Sequence, residues 1–161
     1  MIVVKLALMK SLVLYDSQFG NTEKIAQVIA NNIPEAKLLR VSDAKPQDLD
    51  GIGMLLVGSP TQGGRATSVL TEFLERLSQM KLVKVRVAVF DTRLAEKEQN
   101  FALRLLIKTI GYAAPKIADV LKSKGGELIV PPEGFFVKGK EGPLADGEID
   151  RAGKWSKKLH K

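Results

Sequence analysis

The sequence LVLYDSQFGNTEKIAQVIA, residues 12–30, decides how the chain begins to fold. An apolar run ends at Tyr15, a loop of mostly small and polar residues follows, and a helical pattern begins at Thr22. The loop offers hydroxyl, amide and backbone N–H donors ahead of the positive end of a helix, an arrangement that suits a phosphate group. The stretch therefore predicts a buried strand, an anion-binding loop and a helix. The alternative for Asn21 or Thr22 alone is that it only caps the helix.

The composition of this loop indicates which kind of phosphate compound it binds. It lacks the second glycine, followed by lysine and serine or threonine, that is found in nucleoside-triphosphate loops. It also contains no lysine or arginine. The loop therefore predicts a monophosphate that is held mainly by hydrogen bonds from the loop itself.

Five apolar segments are typical of β-strands that are covered on both faces, because each is nearly continuous rather than alternating. They are residues 11–15, 37–41, 52–57, 85–90 and 128–130, with residues 135–137 continuing the last segment. Pro131 and Pro132 must interrupt that last strand, since proline cannot donate a backbone hydrogen bond. Helical repeats separate the strands, so the connections are crossovers. We expect an α/β fold with a doubly wound, five-stranded parallel sheet between two layers of helices.

Length and composition limit what the chain can be. Its 161 residues suffice for one domain with a proper core, so we expect a single domain over residues 1–161. Residues 1–8 extend or precede the first strand. The chain has no cysteine and a single histidine, His160. We therefore predict no thiol chemistry, no metal site and no catalytic residue.

The charge balance bears on partners. Twenty-five basic residues against eighteen acidic ones give a formal net charge of +7, which predicts partners with acidic docking surfaces. Nucleic-acid binding is not predicted, because no aromatic residues or reading motifs accompany the lysines. No apolar run approaches the roughly 20 residues that span a bilayer, so we expect no membrane association and a cytoplasmic location.

Two further polar motifs follow the third and fourth predicted strands, GSPTQGGRAT at residues 58–67 and FDTR at residues 90–93. Pro60 fixes the direction in which the chain leaves the sheet, and Gly63 and Gly64 permit the backbone to approach a flat ligand closely. Ligands of doubly wound sheets bind beyond the carboxyl ends of the strands. We therefore expect three loops to converge on one crevice.

These three segments resemble the flavodoxin family. LVLYDSQFGNTEKIAQVIA is similar to the flavodoxin signature, in which a strand leads to a hydroxyl-rich loop that binds the phosphate of flavin mononucleotide (FMN). LLVGSPTQGG resembles the second flavin loop of the family, and VAVFDTR occupies the place of the third. The resemblance runs from about residue 10 to the end of the chain. It implies a flavodoxin-like three-layer sandwich, FMN as cofactor and electron transfer as function.

The resemblance also implies which residues bind the cofactor. The phosphate would be held by Ser17, Gln18, Phe19, Gly20, Asn21 and Thr22. One side of the isoalloxazine ring would be bordered by Pro60, Thr61, Gln62, Gly63, Gly64 and Arg65. The other side would be bordered by Asp91, Thr92 and Arg93.

Two departures from the family pattern concern the flavin site. Flavodoxins typically place aromatic rings on both sides of the flavin, but neither PTQGGRAT nor DTRLAEKEQ contains one. Phe101 and Tyr112 follow the third loop, and we expect both to pack in the core. Family electron carriers are commonly acidic, whereas this chain is basic and has Arg65 and Arg93 in its flavin loops. We expect one of these arginines to favour the negative charge that flavin gains on reduction, with ordinary surface exposure as the alternative.

Three functions are compatible with these features, and whether the chain is an enzyme stays open. The leading interpretation is an FMN-binding electron carrier that exchanges electrons with partner proteins, as a monomer or weak dimer. The first alternative is a small FMN-dependent NAD(P)H:quinone-type reductase, because the glycine-rich loop at residues 62–66 leaves room for a second ligand. The second alternative is a non-redox binding or regulatory module on the same fold, which the missing aromatic rings favour.

Overall fold

The continuous apolar segments form the strands of one central sheet in the computed structural model, which describes residues 9–160. The strands are β1 (Ser11–Tyr15), β2 (Ala36–Arg40), β3 (Met54–Pro60), β4 (Arg86–Leu94), β5 (Glu127–Leu128) and β6 (Glu133–Val137). The helices are α1 (Asn21–Asn31), α2 (Ser68–Glu75), α3 (Phe101–Ile110), α4 (Ala113–Ser123) and α5 (Glu148–Lys157). The expectation for residues 1–8 falls outside the described part of the chain.

All strand pairs are parallel, in the order β2-β1-β3-β4-β5. This order confirms the predicted five-stranded, doubly wound sheet. From β1 the chain first adds β2 on one side and then β3 on the other, so the winding direction changes between β1 and β3. The crevice beside such a change of direction is where ligands of these sheets bind.

The last strand of the sheet is interrupted as the prolines predicted. β5 pairs with the start of β4, and β6 pairs with its second half, so the two short strands continue one another along the same edge. Pro131 and Pro132 lie between them, where no backbone donor is required. β6 thereby extends the sheet edge toward the carboxyl end of β4.

Two separate cores cover the two faces of the sheet. Successive residues of β1 point to opposite faces, so Leu12 and Leu14 belong to one core and Val13 and Tyr15 to the other. Helices α2 and α4 supply the apolar side chains of the first core, and helices α1 and α5 supply those of the second. The result is a sandwich of helices, sheet and helices. Helix α3 contributes no buried residue to either core.

Candidate functional site

The carboxyl ends of β1, β3 and β4 border a cavity of about 530 Å³. A cavity of this size is within the range that binds small cofactors. Its walls are formed by Ser17, Gln18, Phe19, Asn21, Thr22, Pro60, Thr61, Gln62, Gly63, Thr92, Arg93, Leu94, Val137 and Lys140. All the residues predicted for the site therefore lie in these walls except Gly20, Gly64, Arg65 and Asp91.

Buried and partly buried polar contacts hold the first loop in shape. The Asp16 carboxylate accepts hydrogen bonds from the Ser17 N–H (2.9 Å) and the Thr67 hydroxyl (2.6 Å). The Ser17 hydroxyl oxygen in turn accepts a hydrogen bond from the Gly20 N–H (3.1 Å). Gly20 has a φ of +90°, a conformation that glycine adopts without the steric cost other residues incur. The shape of the loop is thus set by the protein's own contacts.

Helix α1 begins at the cavity wall with N–H groups that have no acceptor in the described part of the chain. The first N–H groups of a helix have no intrahelical acceptor, and nothing within residues 9–160 accepts a hydrogen bond from those of Asn21 and Thr22. The side chains of both residues are engaged with the protein. The Thr22 hydroxyl lies 2.8 Å from the Thr92 hydroxyl, and the Asn21 amide donates to the Glu141 carbonyl (3.1 Å). The cavity therefore meets two backbone donors at the positive end of a helix.

Lys140 is a wall residue that sequence reasoning missed. It follows β6 and precedes Glu141, whose carbonyl binds the Asn21 amide. Gly142 permits this contact, because a Cβ at that position would lie 2.6 Å from the Asn21 amide atoms. The loop after β6 is thereby brought to the loop after β1. It adds a lysine to the walls of a cavity whose first loop contains none.

The second loop divides between the cavity and the protein interior. Residues 60–63 line the cavity, whereas Gly64 turns toward α3, where a Cβ would collide with the Ile110 side chain. The absence of a side chain at Gly64 thus makes room for a helix and not for a ligand. Arg65 is exposed and borders a separate groove together with Lys116. Its guanidinium is therefore not at the cavity.

Asp91 and Arg93 form an ion pair behind the third side of the cavity. The Asp91 side chain is fully buried and accepts hydrogen bonds from Arg93 Nε (2.6 Å) and Nη2 (2.8 Å) and from the Ala114 N–H (2.9 Å). Arg93 lines the cavity, with 15% of its side chain exposed. Asp91 itself lies outside the cavity walls and partly neutralises the positive charge of Arg93.

The Tyr112 ring packs against the guanidinium of Arg93, and Gly134 leaves space for that group. The Arg93 Cζ lies 3.6 Å from the centroid of the Tyr112 ring, and a Cβ on Gly134 would collide with the guanidinium. Burial raises the pKa of the Tyr112 phenol, and the charge of Arg93 opposes that effect. Tyr112 was expected in the core, but it supports the arginine of the third loop.

Phe19 is the only aromatic residue in the described walls of the cavity, and 42% of it is exposed. Phe101, which was also expected in the core, is 81% exposed and lies on α3. The prediction of core packing for Phe101 was therefore wrong. The remaining apolar surface of the cavity comes from Pro60, Leu94 and Val137.

A family model described as "Flavodoxin domain" matches residues 12–123. The chain belongs to the flavodoxin family. FMN is accordingly its cofactor, and electron transport with redox partner proteins is the activity of the family. A comparison with curated proteins found no match. No helix between residues 9 and 160 is long and apolar enough to cross a membrane.

Solved flavodoxins share the fold at low sequence identity. An archaeal flavodoxin has 18% identity and a TM-score of 0.72, covering 94% of this chain and 96% of its own. Oxidised flavodoxin 1 of Bacillus cereus has 16% identity and a TM-score of 0.70, with coverages of 93% and 96%. The rubredoxin oxygen:oxidoreductase of Desulfovibrio gigas has 17% identity and a TM-score of 0.67, and the match covers 94% of this chain but 35% of that one.

The chemistry of the cavity fits FMN. The unpaired N–H groups of Asn21 and Thr22 and the nearby Lys140 ammonium suit the phosphate, since both provide donors or positive charge. Pro60, Leu94 and Val137 offer apolar surface suited to a flat ring system. The donor groups and the apolar walls therefore match the two chemical parts of the cofactor.

Proposed function

We propose that this flavodoxin-family protein is an electron carrier, in which the loop after β1 and the start of α1 bind the phosphate of FMN. The observation that carries the proposal is the pair of unpaired N–H groups of Asn21 and Thr22 at the cavity wall. FMN supplies the redox chemistry by accepting and releasing electrons. The protein binds the phosphate, orients the ring and sets its electrostatic surroundings. We further propose that residues 1–161 act as a single domain.

The individual residues have distinct roles in this proposal. Ser17 and Gly20 shape the loop, whereas Asn21 and Thr22 donate their N–H groups to the phosphate. Lys140 supplies a positive charge from the loop after β6. Residues 60–63 and 92–94 border the ring. Gly64, Arg65 and Asp91 are not assigned direct contact with the cofactor, because they lie outside the walls.

The test compares FMN with riboflavin, which lacks the phosphate. We expect the apoprotein to bind FMN at least about tenfold more tightly, measured by quenching of flavin fluorescence, because several charge-assisted hydrogen bonds are at stake. Equal affinities for the two flavins would contradict the proposal.

A substitution of Lys140 refines this test. Lys140→Gln is expected to weaken FMN binding by about fivefold, which corresponds to a partly exposed ion pair of roughly 1 kcal/mol. The affinity for riboflavin should stay unchanged. Lys138→Gln is the matched control, because Lys138 lies two residues away and outside the cavity walls. A loss of riboflavin affinity in Lys140→Gln would indicate damage to the ring site and not to the phosphate site.

The quinone-type reductase remains a second candidate, and one observation favours it. The described loops at residues 60–66 and 91–93 place no aromatic ring at the cavity, which leaves room for a second ligand beside the flavin. Stopped-flow mixing of the FMN-loaded protein with NADH or NADPH separates the two functions. A reductase bleaches the flavin absorbance within seconds, and a carrier leaves it unchanged.

A further inference from the structure

Helix α3 presents an apolar face that stays exposed among residues 9–160. None of its ten residues is buried, although six of them are Phe, Leu or Ile. Phe101 is 81% exposed, Leu105 is 57% exposed and Leu106 is 50% exposed. We call these three residues the α3 patch. Contiguous apolar surface of this kind on a protein commonly marks an interaction site.

The α3 patch is connected to the proposed FMN cavity through Leu106. A shallow apolar groove of about 150 Å³ runs beneath α3 and is lined by Leu103, Leu106, Ile107 and Ile110. Thr61, Gly63 and Leu94 line both this groove and the FMN cavity. A protein that covered the patch would therefore sit beside the cofactor, where electrons can pass over a short distance.

The charges around the patch identify the kind of partner. Arg104 and Lys108 lie on α3 and border the same surface depression as Phe101 and Leu105, and α3 contains no acidic residue. Glu96 lies 3.5 Å from Lys108 and neutralises part of this charge, but Arg104 makes no ion pair within residues 9–160. The rim of the patch is therefore positive, which favours an acidic contact face.

We propose that the α3 patch is the docking surface for an electron-transfer protein whose contact face is apolar at its centre and acidic at its rim. This inference rests on the proposed carrier function. A second copy of this chain fits less well, because self-association through α3 would bring two positive rims together. The partner's apolar centre would cover Leu105 and Leu106, and its carboxylates would meet Arg104 and Lys108.

The experiment uses the FMN-loaded protein and an acidic plant-type [2Fe–2S] ferredoxin as the probe. Binding is measured by titration calorimetry at low and high salt. We expect binding at low salt, weakening as salt rises because exposed ion pairs are screened. Basic cytochrome c is the matched negative probe and is expected not to bind.

Two variants test the surface independently. Arg104→Glu/Lys108→Glu reverses the charge of the rim, and Leu105→Asp places a charge at the centre of the patch. Each variant is expected to weaken ferredoxin binding by about tenfold or more. Lys154→Glu/Lys158→Glu is the control, since it reverses two exposed lysines at the same spacing at the end of α5 and should leave affinity within about threefold. All four altered residues of the charge variants are exposed, and circular dichroism checks that each variant is folded.

The possible outcomes distinguish a failure of the carrier function from a failure of the docking surface. Failure of the wild-type protein to bind FMN would remove the carrier function itself. If the FMN-loaded protein does not bind the ferredoxin, the proposed docking surface alone is wrong. The same holds if Lys154→Glu/Lys158→Glu lowers the affinity for the ferredoxin as much as the α3 variants do. A concentration-dependent dimer in sedimentation equilibrium that Leu105→Asp abolishes would also overturn it, by showing that a second copy occupies the patch.

Discussion

Arg93 differs from an ordinary surface arginine in how firmly it is held. Two hydrogen bonds tie it to the buried Asp91, the Tyr112 ring lies against it, and the missing side chain of Gly134 leaves the space that its guanidinium occupies. A cation fixed in this way loses little conformational entropy when a ligand arrives beside it. From the sequence we expected Arg65 or Arg93 to favour the negative charge of reduced flavin. Of these two arginines, Arg93 is the candidate that lines the cavity. Arg65 is exposed and outside the cavity walls.

We predict that Arg93 raises the midpoint potential of bound FMN. Reduction adds negative charge to the flavin, and a nearby cation stabilises it by about 1 kcal/mol, equivalent to roughly 40 mV for one electron. Arg93→Gln should therefore lower the potential by about that amount or more, because it also leaves the Asp91 carboxylate unpaired. A spectroelectrochemical titration measures the shift.

Two variants serve as controls for this prediction. Asp91→Asn/Arg93→Gln removes both charges and should bring the potential back toward the wild-type value, because the pair is close to neutral overall. It also avoids an isolated buried carboxylate, which costs several kcal/mol of stability. Arg65→Gln should leave the potential unmoved. Equal shifts in Arg65→Gln and Arg93→Gln would show that only the net charge of the protein matters.

At the scale of strands and helices, the packing of the Phe90 ring of β4 depends on Gly58 of β3. Gly58 pairs with Phe90 across the two strands, and a Cβ on Gly58 would collide with the Phe90 ring. That ring cannot move freely, because it packs edge-on against Phe135 and Trp155, with centroids 6.2 Å away in both cases. The glycine therefore allows a large aromatic ring to fill the core beneath the cavity.

We predict that Gly58→Ala lowers the free energy of unfolding by about 1–3 kcal/mol, the usual cost of overpacking a core. Urea denaturation measures the loss. Gly139→Ala is the control, because the nearest atom to its Cβ would be at 3.7 Å, and it should change stability by less than about 0.5 kcal/mol. In a Phe90→Leu background the Gly58→Ala cost should shrink; an unchanged cost would show that the ring is not its cause.

The elements that the sequence predicted well are those whose signal is local. The strand, loop and helix at residues 11–31 depend on neighbouring residues, and their apolar runs marked them correctly. The fourth strand was predicted to end at Phe90, but it continues to Leu94, because β6 pairs with the polar segment that follows. A partner strand some forty residues away supplies those hydrogen bonds, and residues 91–94 by themselves do not predict this pairing.

Two failures of prediction have the same physical origin. Helix α3 has the apolar repeat of a buried helix, so Phe101 was assigned to the core, but among the described residues Phe101 is 81% exposed and no residue of α3 is buried. Lys140 reaches the cavity through a hydrogen bond between Asn21 and Glu141, residues 120 positions apart. Periodicity reports that a surface is apolar, and it does not report what covers that surface. Long-range contacts between loops likewise have no signature in a single sequence.

For the molecule as a whole, one buried carboxylate ties the last helix to the edge of the sheet. Glu148 on α5 accepts hydrogen bonds from the Phe136 N–H of β6 (2.7 Å) and from Arg151 (2.6 and 2.8 Å). Arg151 also contacts Glu133 at 3.0 Å and the Phe135 ring at 4.5 Å. β6 and α5 thus form one unit, and the loop that carries Lys140 lies between them.

This arrangement predicts how acid unfolds the protein. Burial of the Glu148 carboxyl acts to raise its pKa, but the hydrogen bonds from Arg151 and the Phe136 N–H, with the charge of Arg151, outweigh burial and lower that pKa. A lowered pKa means that the stabilisation is fully present above about pH 4.3, the ordinary value for glutamate, and is lost as pH falls through the folded-state pKa.

Glu148→Gln should therefore cost about 1–3 kcal/mol at pH 7, and the difference from wild type should narrow below about pH 4. Glu72→Gln, at an exposed site on α2, should cost little at any pH. Urea denaturation from pH 3 to pH 7 measures all three proteins, and a Glu148→Gln deficit that stays constant across that range would show that the carboxylate's charge does not hold α5 to the sheet.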